Sequence, residues 1–389
     1  MKKLPLLMFY TICIITIPIC IAKQSVKINE QSKVPSKPLN FAHELSFPSD
    51  ILKSTESISV FLPPSFDEAS DDHTYPIIFA NDEHGQQFFH TLTGVVSHLS
   101  KLDRMPESIV VSLNSGGQIP EVHTHGLWGR EKLDKYGDVT QYLRHLKQEL
   151  IPYLQKHYRA SSHSTIIGVS GSSLFPLYAF THDIEMFDNY ILLAAHDIIG
   201  MGFETDKTMV EHLQAGLASK KVSPTHLYFA VADSDANSEP RYAKNIQSLE
   251  TALLPLVRNG LKSKVDIVPN ERHYDAYIKT LLGAFEMFYP EKIWAPKYRD
   301  LIALTGNAMA NIDAYYQQLS EVHDITILPK ADRWNSVNCL RWVSGQLQNE
   351  DRIQEAIEVA TRWVKYRPNS APAKQKLAEL KQQLTNKQD

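Results

Sequence analysis

The chain is predicted to fold as α/β, with a doubly wound, mostly parallel sheet and a small all-helical appendage at its C-terminus. Three observations carry this. Short apolar runs alternate with helical stretches between residues 57 and 288, the pattern of strands joined by crossover helices. Tyr75–Ala80 and Ser108–Leu113 are short apolar runs of the kind that central strands, buried on both faces, require. After Pro296 the alternation stops, and helical periodicity runs from Ala308 to Lys387.

Taken in order, the chain opens with Lys2-Lys3 ahead of an apolar run from Leu4 to Ala22, then polar Lys23-Gln24-Ser25. This is the layout of a secretory signal peptide cut after Ala22. The run is also just long enough to span a bilayer, so an uncleaved anchor is the alternative. The expected location is the secretory pathway, periplasmic or extracellular in a bacterium. Residues 23–40 are polar with prolines at 35 and 38, and read as a linker. Residues 41–295 then form the α/β domain and 296–389 the helical region.

Within the α/β domain, Ser57–Pro63 alternates as a half-buried strand, and 75–80 and 108–113 follow as central strands. Between them, Phe88 to Leu102 carries helical spacing. Asp138 caps a single helix reaching His157, with Val139, Tyr142, Leu143, Leu146 and Leu150 on one stripe. A short strand at Ile166-Ile167 is next, then strands at Tyr190–Ala195, His226–Ala232 and Lys264–Pro269. Helices are expected at Pro240–Gly260 and Tyr274–Phe288. In the last region, Ala356 to Ala378 resembles a tetratricopeptide helix pair. One such pair cannot stack as a solenoid alone, so it docks on the main domain or binds a protein partner.

Composition narrows the function. The 389 residues carry a net charge of −4 with 22% charged residues, and no basic stripe. Nucleic acid is therefore not an expected partner. Once the signal is removed, Cys339 is the only cysteine. No internal disulfide can form, and Cys339 reads as a small buried hydrophobe within a helix.

The chemistry centres on Ser164–Phe180. An apolar strand runs into Gly168-Val169-Ser170-Gly171-Ser172, and helical spacing resumes at Leu174, Phe175, Leu177, Tyr178 and Phe180. A serine at such a strand-to-helix corner is thrust clear of the backbone at a helix N-terminus, where negative charge is favoured. Serine at 172 replaces the usual last glycine and is expected to weaken the corner slightly. A glycine- and serine-rich loop without chemistry has the same composition. A nucleophile needs a base, and the base an orienting acid, each on a loop after a later strand. The strand ending at Ala232 runs into Asp233-Ser-Asp235, and the last strand into Asn270-Glu-Arg-His273. Ser170 is thus the expected nucleophile, His273 the base and Asp235 the acid, with Asp233 second.

These residues carry a resemblance. Ser57 to Pro290 is similar to the esterase family of the α/β-hydrolase superfamily that includes esterase D and the enterobactin-type siderophore esterases. The matching segments are Tyr75–Asp82, Ser108–Val111, Glu149–Tyr158, Ile167–Phe175, Leu227–Asp233 and the His273 loop. The resemblance implies a serine carboxylesterase acting on a small-molecule ester without a cofactor, and carries the three roles to Ser170, His273 and Asp235. It implies an oxyanion hole from the Gly171 amide and a donor near Asn81 or Asp82. Two departures stand out. The family's His-Ser-x-Gly-Gly is here Val169-Ser170-Gly171-Ser172-Ser173, and its arginine-bearing stretch after the third strand is here Asn114-Ser-Gly-Gly-Gln. Trp128 and Arg130, in the long polar loop beyond, contact substrate, or the loop packs on its own tryptophan. His84, His90, His123 and His125 lack a carboxylate or cysteine at ligand spacing, so no metal is expected. His196-Asp197 follows a strand end and lines the cleft without a catalytic role. The alternative reading is a hydrolase-like scaffold that has lost activity and recruits a partner through its tail.

Overall fold

The computed structural model describes residues 41–81, 87–113, 122–123, 132–133, 137–217, 225–258, 260–323, 325–333 and 336–388. The expected signal and linker, 1–40, lie outside them. Eight strands form one sheet: β1 His43–Ser49, β2 Ser54–Phe61, β3 Tyr75–Asn81, β4 Ile109–Leu113, β5 Ala160–Val169, β6 Asn189–Leu193, β7 His226–Ala232 and β8 Lys262–Val268. Their spatial order is β1-β2-β4-β3-β5-β6-β7-β8. The β1–β2 and β2–β4 pairings are antiparallel, and every later pairing is parallel.

Two corrections to the predicted elements have clear causes. β1 carries no strand prediction because only Phe47 and Ser49 are buried and Pro48 interrupts it; an edge strand tolerates proline, since one row of its amides faces no partner. The predicted single helix to His157 is instead Val139–His145 and Ile151–Tyr158, joined by a π-turn at Leu146–Leu150. Pro152 removes an amide and crowds the preceding turn, and the helix absorbs this by widening. Asp138 does cap the first part, its carboxylate accepting from the amides of Thr140 and Gln141 at 3.0 and 3.1 Å. Glu149, within the π-turn, ties this helix to the sheet edge. Its carboxylate accepts from Ser49 Oγ at 2.6 Å and from the amides of Asp50 and Ile51 at 3.0 Å.

Alternation along the strands divides the core between the sheet's two faces. Ile77 and Phe79 join the helices that carry Tyr142, Leu146, Phe175, Leu213 and Leu249. Ile78 and Ala80 face the opposite way, joining Phe89 and Leu92 of Gln87–Lys101 and Leu281 and Phe285 of Tyr277–Phe288. That second core continues into the C-terminal helices through Trp294, Tyr298, Tyr316, Trp363 and Tyr366. These helices are Glu291–Trp294, Tyr298–Ala303, Ala308–His323, Leu340–Asn349, Ile353–Tyr366 and Ala371–Gln388. Polar ties reinforce the seam. Arg333 donates to the Leu102 carbonyl at 2.7 Å, and Lys330 and Arg333 approach buried Asp103 at 3.8 and 3.9 Å. Cys339 is buried, but it sits in extended backbone at the N-cap of Leu340–Asn349 rather than within a helix. Among the described residues no helix is long and apolar enough to cross a membrane.

Where the sheet floor meets this seam, burial holds two histidines neutral. Burial, aided by nearby Lys262, pushes His226 down to about 3, and burial brings His323 to about 4, against an ordinary value near 6.5. The unfolded chain binds these protons below pH 6.5 while the folded chain refuses them, so stability falls as pH drops from 6.5 toward 4. His226 alone should account for roughly 3 kcal/mol over that window. Thermal melts across pH 4–7 are expected to show this slope, and His226→Phe to flatten it; an unchanged slope in the variant would rule the assignment out.

Candidate active site

The parallel register brings four strand ends side by side. Val169 pairs with Leu193, Leu193 with Ala230, and Ala232 with Val268. The segments leaving these ends carry Ser170, His196, Asp235 and His273 in turn.

β5 is longer than the predicted Ile166-Ile167 and delivers the chain directly into the corner. Ser170 takes φ 51°, in the left-handed region, which costs a non-glycine residue about 1 kcal/mol or more. A 3₁₀ turn, Ser170–Ser173, then feeds the helix Leu174–His182. Ser172 does not loosen this corner. Its hydroxyl receives the Val169 amide and donates to the Val169 carbonyl, both at 2.8 Å, so the residue in the glycine position fastens the strand end. From β3, the Asn81 side-chain amide donates to the Ser172 carbonyl at 2.7 Å. Gly168 is needed for close approach, because a Cβ there would fall 2.7 Å from Ser173 Cα and 3.0 Å from Pro176 Cγ. Gly168→Ala is therefore expected to destabilise the fold by about 2–3 kcal/mol, measured by urea unfolding. A neutral substitution would show that the corner can relax.

His273 must travel from β8 to β5, three strand spacings or about 14 Å. Asp233 turns its loop. The carboxylate accepts from the amides of Asn270 at 2.8 Å and Glu271 at 3.1 Å, and these two bonds hold it below the usual carboxylate range. Asn270 adopts φ 59° at the bend, which asparagine tolerates. His273 then lies with Nε2 3.0 Å from Ser170 Oγ and Nδ1 2.7 Å from Asp235 Oδ2. The ring of Tyr274 packs edge-on against it at 4.6 Å.

His273 thus touches both Ser170 and Asp235, so the three residues expected to share one site lie in one contact chain. The two aspartates separate cleanly: Asp235 faces the imidazole and Asp233 holds the loop backbone. Gly171 lies in the 3₁₀ turn at a helix start, where the first amides lack intrahelical partners. Asp82, Trp128 and Arg130 lie outside the described residues, as do His84 and His125 and the side chain of His123. His90 stacks on Phe41 at 5.0 Å.

The neighbour that sequence reasoning undervalued is His196. It is buried, with Nδ1 3.9 Å from Asp235 Oδ2 and its ring edge-on to His273 at 5.9 Å. Burial lowers its pKa, against the pull of the Asp197 and Asp235 carboxylates. Only its place after a strand end signalled the cleft.

Residues 49–288, more than half of the chain, match the family described as "Putative esterase". The chain belongs to this esterase family. It is a carboxylesterase-type hydrolase. No curated protein matches it by sequence. Among solved structures, this esterase is similar in fold to an IroE-like serine hydrolase from Shewanella oneidensis. The TM-score is 0.62 at 18% identity, covering 88% of this chain and 99% of that one. An uncharacterised protein from Capnocytophaga ochracea reaches 0.53 at 14% identity over 88% and 89%. The BES protein from Bacillus cereus reaches 0.50 at 15% over 66% and 98%. The first two likenesses extend beyond the family segment into the C-terminal helices; the third covers a share near that of the segment alone.

Proposed function

We propose that this esterase is a secreted serine hydrolase that cleaves carboxylic esters through an acyl-enzyme on Ser170, with His273 as base and Asp235 as its orienting acid. The observation that carries the reading is the unbroken line Ser170 Oγ–His273–Asp235, with separations of 3.0 and 2.7 Å. Ser170 Oγ attacks the ester carbonyl as its proton passes to His273 Nε2. Asp235 accepts the Nδ1 proton, holds the tautomer and stabilises the imidazolium. The tetrahedral oxyanion is received by the Gly171 amide and a second donor near Asn81 or Asp82, with the positive end of Leu174–His182 favouring the charge. His273 then gives its proton to the leaving alkoxide, and a water, deprotonated by the same ring, releases the acid. No step calls on a cofactor. Transfer of the acyl group to an acceptor other than water uses the same residues.

Secretion rests on the Lys2-Lys3 and Leu4–Ala22 pattern. The substrate is a small-molecule ester whose class is set by the loops between residues 114 and 137, where Trp128 and Arg130 are candidate contacts, and by those near residues 196–225. The scaffold alternative has no specific support: a chain released from catalysis has no need of a strained Ser170 facing an imidazole. The helical region from residue 296, with its tetratricopeptide-like pair, is read as a buttress of the hydrolase domain, since the two share an apolar core.

A fluorophosphonate probe tests the reading. It is expected to add one label to the mature protein and to abolish p-nitrophenyl acetate turnover in proportion to labelling. An unlabelled, inert wild type would return the protein to the scaffold reading.

A further inference from the structure

One side chain at the site has no part in ester hydrolysis as proposed. His196 is 6% exposed, and its Nδ1 is buried without a hydrogen-bond partner in the structure. An orphaned imidazole nitrogen in a protein interior costs free energy unless something is there to meet it. It sits 3.9 Å from Asp235 Oδ2, the oxygen that also meets His273 Nδ1 at 2.7 Å. One ligand atom from each of the three residues lies within 4.8 Å of the others. The rest of His196 is fixed, with Asn245 Nδ2 donating to its carbonyl at 3.1 Å and the Tyr242 ring 4.5 Å away, edge to face. Neighbouring Asp197 is occupied by the Ile198 amide at 2.8 Å.

We propose that His196, Asp235 and His273 form a zinc site whose occupation switches the esterase off. Two imidazole nitrogens and a carboxylate oxygen suit zinc, whereas calcium and magnesium call for oxygen shells. Tetrahedral zinc with bonds near 2.0–2.1 Å sets its ligand atoms about 3.4 Å apart. The short His273–Asp235 contact of 2.7 Å opens by about 0.7 Å and the long His196–Asp235 contact of 3.9 Å closes by about 0.5 Å, within the reach of side-chain rotation. The inhibition rests on the reading of His273 as base. Zinc takes the Nδ1 lone pair, so the ring's one proton resides on Nε2, and that nitrogen donates to Ser170 Oγ where it must accept. Asp235 is withdrawn from the ring at the same time.

The test is a calorimetric titration of zinc chloride into the mature protein and its His196→Phe and His196→Gln variants. It is paired with p-nitrophenyl acetate turnover at each zinc concentration and its recovery with a chelator. One zinc per chain is expected, with turnover falling as the site fills. Both variants should weaken binding and inhibition by at least about tenfold, since loss of a ligand costs no less than loss of an outer-shell partner. X-ray absorption of the wild type loaded with one equivalent should show two imidazole nitrogens, a readout that does not depend on the variants folding. Absence of stoichiometric binding, equal affinity in the variants, or a single imidazole would overturn the site. Stoichiometric, His196-dependent binding with full turnover would leave the site standing and instead refute His273 as base.

Discussion

Ser170→Ala is expected to lower ester turnover by about a millionfold, the scale on which a serine hydrolase loses its nucleophile. Ser170 Oγ is the hydroxyl within 3.0 Å of the His273 imidazole, and it stands at a corner whose backbone strain holds it there. The methyl side chain of alanine leaves the strand, the turn and the Ser172 clamp in place, since those bonds involve Val169 and Ser172 alone. Circular dichroism and melting temperature should therefore match wild type while turnover and fluorophosphonate labelling vanish together. Labelling retained in Ser170→Ala would place the nucleophile elsewhere.

Asp235→Asn should cost about 10⁴-fold in kcat with little change in KM. The amide is nearly isosteric, but its NH₂ would donate toward Nδ1 and hold the ring in the tautomer that cannot take the serine proton. Asp233 provides the control. It carries the same charge two residues away, yet its carboxylate accepts from the backbone amides of Asn270 and Glu271. Asp233→Ala should loosen the His273 loop and cost between about tenfold and a hundredfold, as small displacements of a catalytic group do. The decisive quantity is the ratio between the two variants. If Asp233→Ala were the more damaging, the acid would have to be reassigned.

Much of this fold is legible in the sequence because strand and helix periodicity are properties of contiguous residues. The continuous burial of β3 and β4 and the strand-to-helix change at Ser170 need nothing distant to be read. Where the reading falls short, the cause is non-local. β1 is held by pairing with β2 and by Glu149, about 100 positions away. The choice between Asp233 and Asp235 turns on a loop 38 residues further along; the π-turn is the local exception, answering to Pro152 just beyond it.

The sequence by itself determined the succession of strands and helices, the sharp corner at Gly168–Ser172, and the order serine, aspartate, histidine after three of the parallel strand ends. Tertiary structure decided which aspartate faces the imidazole, what Ser172 does in a glycine's place, and that His196 is buried against Asp235. The physical reason is one of range. Side-chain period and turn chemistry act over a few residues, whereas a contact such as Ser170–His273, 103 positions apart, exists only once strand register and loop backbone bonds have fixed where each end of the sheet lies.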